Sequence, residues 1–435
     1  DAQVFDVSAQ FALIGQGYAN RSLVSRPFFT FFLTTLYALL GNDIETLVNA
    51  QIGIYALIPV ILFGLGRELN HRPAGLFAGL MLVFIQMNAI ATSHIVQRTN
   101  ARLLMTEMPA ALMIILITWL IVRWWDSPAA RWALLPLAGG ILGFSTMVRQ
   151  NTWALLLAIP VFLGFGFWRQ RQLLWRSVLW FTLGFFAATT PWMIRSAVTT
   201  GNPLYILGPF RYVVWGNRLS NLVGSQSPTA LPSPSPVGFA NTPTASGFVK
   251  TTPIPSLTPD APATVGGRVS ILLGVVANHY AHNLVASSLV FPPRMMFEDI
   301  YHLMEEPGSY WQLDWRGEID SERAAFLVAA LAVLAVGLAS AWRSRRLAGL
   351  LPLWIFLSYH GGTAIARTSG GRYLVPVEWV LPFYFATGGW LLTTWLADLL
   401  HPVGSPTSDQ LSSTRVGAPS QPLGLTFQAW QVSLL

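Results

Sequence analysis

Nine apolar stretches recur along the chain, each close to the roughly 20 residues that carry an α-helix across a bilayer. They run approximately Ile44 to Leu65, Ala74 to Ile95, Met108 to Trp125, Trp132 to Val148, Thr152 to Trp168, Ser177 to Ile194, Ala324 to Trp342, Leu347 to His360 and Tyr373 to Leu400. Their interiors are almost free of charge, Glu378 being the main exception. Only 10% of the 435 residues are charged and 53% are hydrophobic, whereas a soluble domain carries about 25% charge. A water-soluble enzyme is excluded. The expected fold is an all-α polytopic membrane protein with about nine transmembrane helices.

The charges that do occur fix a topology. Arg67 and Arg72, Arg123 and Arg131, Arg169, Arg171 and Arg176, and Arg343, Arg345 and Arg346 fall in alternate connections, all on one side. By the positive-inside rule that side is cytoplasmic. The segment before Ile44, the Gln97 to Glu107 connection, the Arg195 to Arg323 region and the His360 to Arg372 turn then lie outside, and the tail inside. Nine spans put the start outside, so a first helix upstream of Asp1 is expected. The formal charge of +7 is almost wholly arginine, Lys250 being the single lysine. Because these arginines punctuate helix ends instead of covering one polar face, they read as topology signal and nucleic acid is not expected as a partner. The absence of cysteine removes disulfides, thiol catalysis and Cys-ligated metal centres.

Five regions follow. Residues 1–43 form a first outer loop in which Pro27 to Leu40, apolar but short, lies as an interfacial helix. Residues 44–195 form a six-helix core, and 324–400 the last three spans. Between them, 196–323 is an outer region. It holds a disordered Ser/Thr/Pro-rich insert at about 224–264, a segment Ser270 to Val290 that reads as an interfacial helix, the alternative being a tenth span that would invert everything after it, and an acidic, Trp-containing stretch from Glu298 to Glu322 that reads as a small folded subdomain. Residues 401–435 read as a disordered cytoplasmic tail.

Ionisable groups near a bilayer discriminate between functions, because transporters and pumps hold them near the midplane. Here Asp1, Asp6, Glu107, Arg149, Arg195, His360, Arg367, Arg372 and Tyr373 all map to outer helix ends. Carboxylates and guanidinium groups at head-group level suit a membrane-held phosphate substrate.

With these landmarks in order, the chain resembles the GT-C superfamily of polytopic glycosyltransferases, in the branch of protein mannosyltransferases and lipid A aminoarabinose transferases. The resemblance runs nearly end to end. Asp1 with Phe5, Ala9 and Gly15-Gln-Gly17 is similar to the family's first outer loop, and Arg26-Pro27 with the run to Gly41 to its interfacial helix. Gly66-Arg67-Glu68-Leu69 through Arg72-Pro73-Ala74-Gly75 is similar to its first cytoplasmic turn. Thr106-Glu107 resembles the acidic residue that opens a later helix. Val148-Arg149-Gln150-Asn151, Pro191-Trp192 with Arg195 and Asn202-Pro203, and Gly371-Arg372-Tyr373-Leu374-Val375-Pro376 look like further landmarks. Many members carry Asp-Glu at the first motif, whereas Ala2 follows Asp1 here.

The resemblance implies transfer of a sugar from a polyprenyl-phosphate donor to an acceptor hydroxyl, with inversion. It makes Asp1 the candidate base, with Glu107 sharing that role or orienting the acceptor. Arg149, Arg195 and Arg372 would stabilise the leaving phosphate, Tyr373 would hydrogen-bond phosphate or sugar, and His360 would line the same outer surface. No nucleotide-sugar site is needed, and a divalent cation, which some members use, stays open as a cofactor. The partners implied are the bilayer, the lipid-linked donor and an unidentified protein, lipid or polysaccharide acceptor. The location implied is a bacterial plasma membrane with the site on its outer face.

Each residue also has a plain reading. Asp1 fits a solvated chain start, Glu107 a first-turn carboxylate favoured by the helix dipole, Arg149 and Arg195 snorkelling cations, and Arg372-Tyr373 an interfacial anchor. His279 and His282 have a metal-edge spacing but lack a third ligand nearby, and Asn20-Arg21-Ser22 fits an N-glycosylation triplet. Two other functions stay open: a lipid-linked sugar flippase, and a noncatalytic scaffold of the same fold.

Overall fold

The computed structural model describes residues 2–17, 26–69, 71–91, 101–205, 273–274, 276–281, 283–284, 287, 321–366 and 371–400. Twelve helices carry the description. They are α1 (Ala2–Leu13), α2 (Pro27–Leu40), α3 (Ile44–Tyr55), α4 (Leu57–Glu68), α5 (Arg72–Ala91), α6 (Glu107–Trp125), α7 (Leu134–Val148), α8 (Ala154–Phe167), α9 (Arg171–Thr200), α10 (Ser321–Arg345), α11 (Leu347–Ile365) and α12 (Val380–Leu400). Single turns of helix lie at Gln150–Trp153, Gly371–Leu374 and Val375–Val377. Among the described residues there is no strand.

Helices occupy each of the nine apolar stretches, and six are long and apolar enough to cross a bilayer: Ile44–Glu68, Arg72–Ile90, Glu107–Trp125, Gln150–Phe167, Arg171–Thr200 and Ala324–Arg345. The chain is an integral membrane protein of all-α fold. Residues 2–391 form one compact unit; the second, from Leu392, is described only through Leu400. The upstream helix, the 224–264 insert, the acidic 298–320 stretch and the 401–435 tail lie outside the described residues.

Local sequence sets the boundaries. Pro27 opens α2, where its missing N–H costs nothing, and Gly41, at φ 83°, closes it. The Asp43 carboxylate caps α3 by accepting from the Thr46 amide at 2.9 Å. Three regions depart from the expected spans. The first span bends at Ala56, where α3 gives way to α4. Residues 177–194 are the middle of a 30-residue helix that ends at Gly201. Tyr373 does not begin a span: it sits in a short turn before Pro376 and Glu378, and the long helix starts at Val380.

Close helix crossings hold the bundle. A Cβ at Gly139 of α7 would overlap the carbonyl of Phe181 on α9, and one at Gly184 of α9 that of Pro136. Gly337 of α10 and Gly388 of α12 meet the carbonyls of Tyr384 and Val333 in the same way. Such small residues let helix backbones approach where lipid offers no hydrophobic drive to associate.

The turns grouped by their arginines gather at one end of the bundle. Glu68 lies 3.6 Å from Arg67 and 3.9 Å from Arg123, and Arg345 pairs with Asp126 at 2.5 Å. Arg131 donates to the Arg123 carbonyl at 2.6 Å, and Ser344 to that of Leu69 at 3.0 Å. Helix α6 runs from this end at Arg123 to the opposite end at Glu107.

Candidate functional site

At that opposite end an ion pair is buried. Arg149 Nη1 lies 2.6 Å from Glu107 Oε1, with the two side chains 3% and 0% exposed. The backbone delivers both groups to this place. Glu107 opens α6, so its carboxylate meets the positive end of the helix dipole. Arg149 is the extended residue that ends α7, at φ −144° and ψ 118°, before the single turn Gln150–Trp153 leads into α8. That break turns the guanidinium inward, and Thr152 Oγ1 secures it by donating to the Arg149 carbonyl at 2.7 Å.

Helix α11 supplies the next partner. Arg149 Nε donates to the Tyr359 hydroxyl at 3.0 Å. Gly362, one turn on, lets α11 press against the Gln150–Trp153 turn and α8, since a Cβ there would sit 2.5 Å from that of Ala154. The Tyr373 ring lies beneath the same guanidinium, 5.3 Å from its centroid to Arg149 Cζ. Tyr359→Phe removes one hydrogen bond to a charged group, worth about 1.5–3 kcal/mol. A melting curve of the purified variant is expected to show a loss within that range.

A second guanidinium arrives from the first loop. Arg26 Nη1 and Arg149 Nη1 both donate to Thr106 Oγ1, at 2.9 and 3.2 Å. Arg26 also lies over the ring of Phe5, 5.1 Å away, in the first turns of α1. Phe5 in turn packs edge-on against Phe29 of α2 at 5.3 Å. The starts of α1, α2 and α6 therefore face one place. Two guanidinium groups and one carboxylate thus meet around the Thr106 hydroxyl, and three helix N-termini point the positive ends of their dipoles toward the same place. The chemistry this favours is that of an anion held at a site screened from water.

Farther along the two parallel helices, the Tyr37 hydroxyl donates to Asp6, as does Gln10 at 3.1 Å. Burial, and then this bond to the Asp6 carboxylate, holds the Tyr37 phenol above its ordinary pKa. The phenol stays a donor across neutral pH, fixing α1 on α2.

The residues singled out in the sequence divide as follows. Glu107, Arg149 and Tyr373 come together, and Arg372 stands in the same short turn as Tyr373. His360 is buried on α11 next to Tyr359 but faces elsewhere, 3.4 Å from Ser287 and edge-on to Phe356. Asn283 donates to Thr363 at 3.2 Å beside it, tying the described part of 273–287 to α11. Arg195 is exposed on α9, over the Trp192 ring. Asp1, Arg367 and His282 lie outside the described residues. Among the described residues no three His, Asp or Glu side chains gather as a metal site.

Sequence reasoning missed Tyr359, and treated Arg26 and Thr106 as landmarks without a role in the site. The signal for Tyr359 was a phenol inside an apolar run, where a hydroxyl needs a partner. Arg26 was visible as a guanidinium at the mouth of an interfacial helix, but nothing local told that it reaches residue 106.

No family model and no curated protein matches the chain. Among solved structures it is similar to an archaeal oligosaccharyltransferase, AglB of Archaeoglobus fulgidus, in complex with an inhibitory peptide and a dolichol-phosphate. That match has 13% identity and a TM-score of 0.47 and covers 100% of this chain and 49% of the other. The chain thus spans about half the length of that protein. It is also similar to ArnT from Cupriavidus metallidurans bound to undecaprenyl phosphate, with 13% identity, a TM-score of 0.36, and 94% and 76% of the two chains covered.

Proposed function

We propose that the chain is a GT-C-type membrane glycosyltransferase that moves a sugar from a polyprenyl-phosphate donor to an acceptor hydroxyl, with inversion, on the outer face of a bacterial plasma membrane. The observation that carries this reading is the buried Glu107–Arg149 pair with Arg26, Thr106, Tyr359 and Tyr373 around it. A preorganised cluster of guanidinium, hydroxyl and phenol donors at one end of a membrane bundle is matched by a lipid phosphate. The order of motifs from Asp1 to Pro376 supports the same class.

In this mechanism the acceptor oxygen attacks the anomeric carbon from the face opposite the phosphate. The bond from that carbon to the phosphate oxygen breaks, and its electron pair leaves with the polyprenyl phosphate. Arg149 and Arg26, with Arg372 from the neighbouring turn, take up the charge that develops there. The acceptor proton passes to a carboxylate, for which Asp1 is the candidate. Glu107 is ill placed to be the base, because its Oε1 is already engaged by the Arg149 guanidinium at 2.6 Å. Its role is to hold Arg149 and to compensate its buried charge. Tyr373 and Arg195 are placed as contacts to donor or acceptor, and His360 as a support of α11.

The test is transfer by the full-length protein in proteoliposomes supplied with a panel of labelled polyprenyl-phosphate sugars. Transfer from one donor, lost in Asp1→Asn, is the expected result. A folded protein that turns over none of them would overturn the reading.

A further inference from the structure

The segment that delivers Thr106 and Glu107 is itself irregular, and two amide side chains from different spans hold it. Gln51, on α3, is fully buried. Its Nε2 donates to the carbonyls of Ala101 and Leu103, at 3.0 and 3.1 Å. Gln86, on α5, accepts from the Ala101 amide through Oε1 at 3.0 Å. Ala101 is thus gripped through both of its flanking peptide groups, its N–H by one glutamine and its C=O by the other. The polarity of these bonds is forced, since two carbonyls demand a donor and an N–H an acceptor.

Depth makes the arrangement informative. Gln51 lies seven residues into α3, and Gln86 five before the end of α5, which places both about 8–10 Å inside the same end of the bundle. Non-helical backbone at membrane depth persists only where protein satisfies its polar groups. Ala101, Leu104, Met105 and Thr106 are buried, while Arg102 and Leu103 between them are exposed, so the ends of this stretch are satisfied by protein. A glutamine inside an apolar span costs free energy unless its amide is used, and Gln51 through its Nε2 and Gln86 through its Oε1 are both turned on the same few peptide groups.

From these contacts we infer that Gln51 and Gln86 are positioning residues: together they clamp residues 101–103 and thereby set where Thr106 meets Arg26 and Arg149, and where Glu107 meets Arg149. The inference rests on the reading of this end as the transfer site. Neither amide touches the ion pair, and both act through the backbone of the loop. Loosening the loop moves Thr106, the one hydroxyl that both guanidinium groups share, and a displacement of about 1 Å at such a centre costs on the order of 10²-fold in rate.

The experiment uses the absence of cysteine from the chain. Leu103, whose side chain is 39% exposed, is replaced by a single cysteine in the full-length protein and carries a nitroxide. Its spectrum is read in four backgrounds: the parent, Gln51→Met, Gln86→Met and Gln86→Glu. The label is expected to be restrained in the parent and in Gln86→Glu, which keeps an acceptor for the Ala101 amide. It is expected to be mobile in both methionine variants. Transfer in the same backgrounds should follow, with kcat lowered about 10²-fold in the methionine variants, KM for the donor within about twofold, and Gln86→Glu close to the parent.

Equal spectra in all four backgrounds, or a mobile label in Gln86→Glu, would overturn the clamp. Should Gln51→Met fail to fold, the two Gln86 variants still decide it. If the spectra follow the expected pattern but the parent transfers no sugar, the clamp stands and the transferase reading falls.

Discussion

Glu107→Ala should lower the stability of the protein by about 3–5 kcal/mol and abolish sugar transfer, because it leaves the Arg149 charge buried without its partner. Arginine does not escape by losing its proton. Tyr359 and Thr106 offer it neutral oxygens, and Tyr373 a ring face, but no compensating charge. Removing both partners at once separates the two effects. In Glu107→Leu with Arg149→Met the buried charges are gone together, and stability should return close to that of the parent, as it does when buried pairs are replaced by apolar groups. Transfer should stay absent, since the cation proposed to receive the phosphate has gone too. Thermal melts and a transfer assay on the three proteins check this. A double variant as unstable as Glu107→Ala would mean that the pair is held for packing and not for charge.

The second large effect is expected at the crossing of α7 and α9. Gly139→Val places a branched side chain where the Phe181 carbonyl already lies, and Gly184 faces the Pro136 carbonyl in the same way. Both obstacles are backbone, so neither can swing aside. The cost exceeds the 1–3 kcal/mol or so of ordinary overpacking, and the variant should not be recovered as folded protein. Gly164 supplies the control. A Cβ there meets nothing within 4 Å, so Gly164→Ala should be tolerated and should gain up to about 1 kcal/mol from helix propensity. Yields and melting curves after detergent extraction distinguish the two sites. Arg149 ends α7, so the crossing that fixes α7 also fixes the cation.

Much of this fold was legible in the sequence, because one physical rule dominates it: charge cannot be left in hydrocarbon. The nine apolar stretches and the grouping of Arg67, Arg123 and Arg345 follow from that rule, and the structure brings those turns into contact. Boundaries were less legible. A long helix such as Arg171–Thr200 extends past its apolar centre at no cost once its ends reach water or head groups. The break at Ala56 had its signal in Pro59, which lacks the N–H that would bond the Tyr55 carbonyl.

The site was half legible for a related reason. Glu107, Arg149 and Tyr373 stand at helix ends, where an ionisable or aromatic residue is conspicuous. Their pairing depends on which helix ends meet, and that is decided by crossings such as Gly362 against Ala154. Tyr359, Gln51 and Gln86 sit inside spans, where their polar atoms were masked by apolar neighbours. Arg195 and His360 share the same level as the cluster by sequence, yet Arg195 lies over Trp192 and His360 turns to Ser287. Level along the bundle could be read from hydropathy; rotation about each helix axis could not.

The central claim is that the Glu107–Arg149 end of the bundle receives a lipid phosphate, and photocrosslinking tests it most directly. A polyprenyl phosphate bearing a photoactivatable group next to the phosphate is incorporated with the protein in vesicles, illuminated, and the labelled peptides are mapped by mass spectrometry. We expect labelling concentrated in the peptides that contain Arg26, Thr106, Arg149 and Tyr373, competed by unlabelled polyprenyl phosphate and lost in Arg149→Gln. Label spread evenly over the lipid-facing helices, or gathered at the end that carries Asp126 and Arg345, would contradict the account.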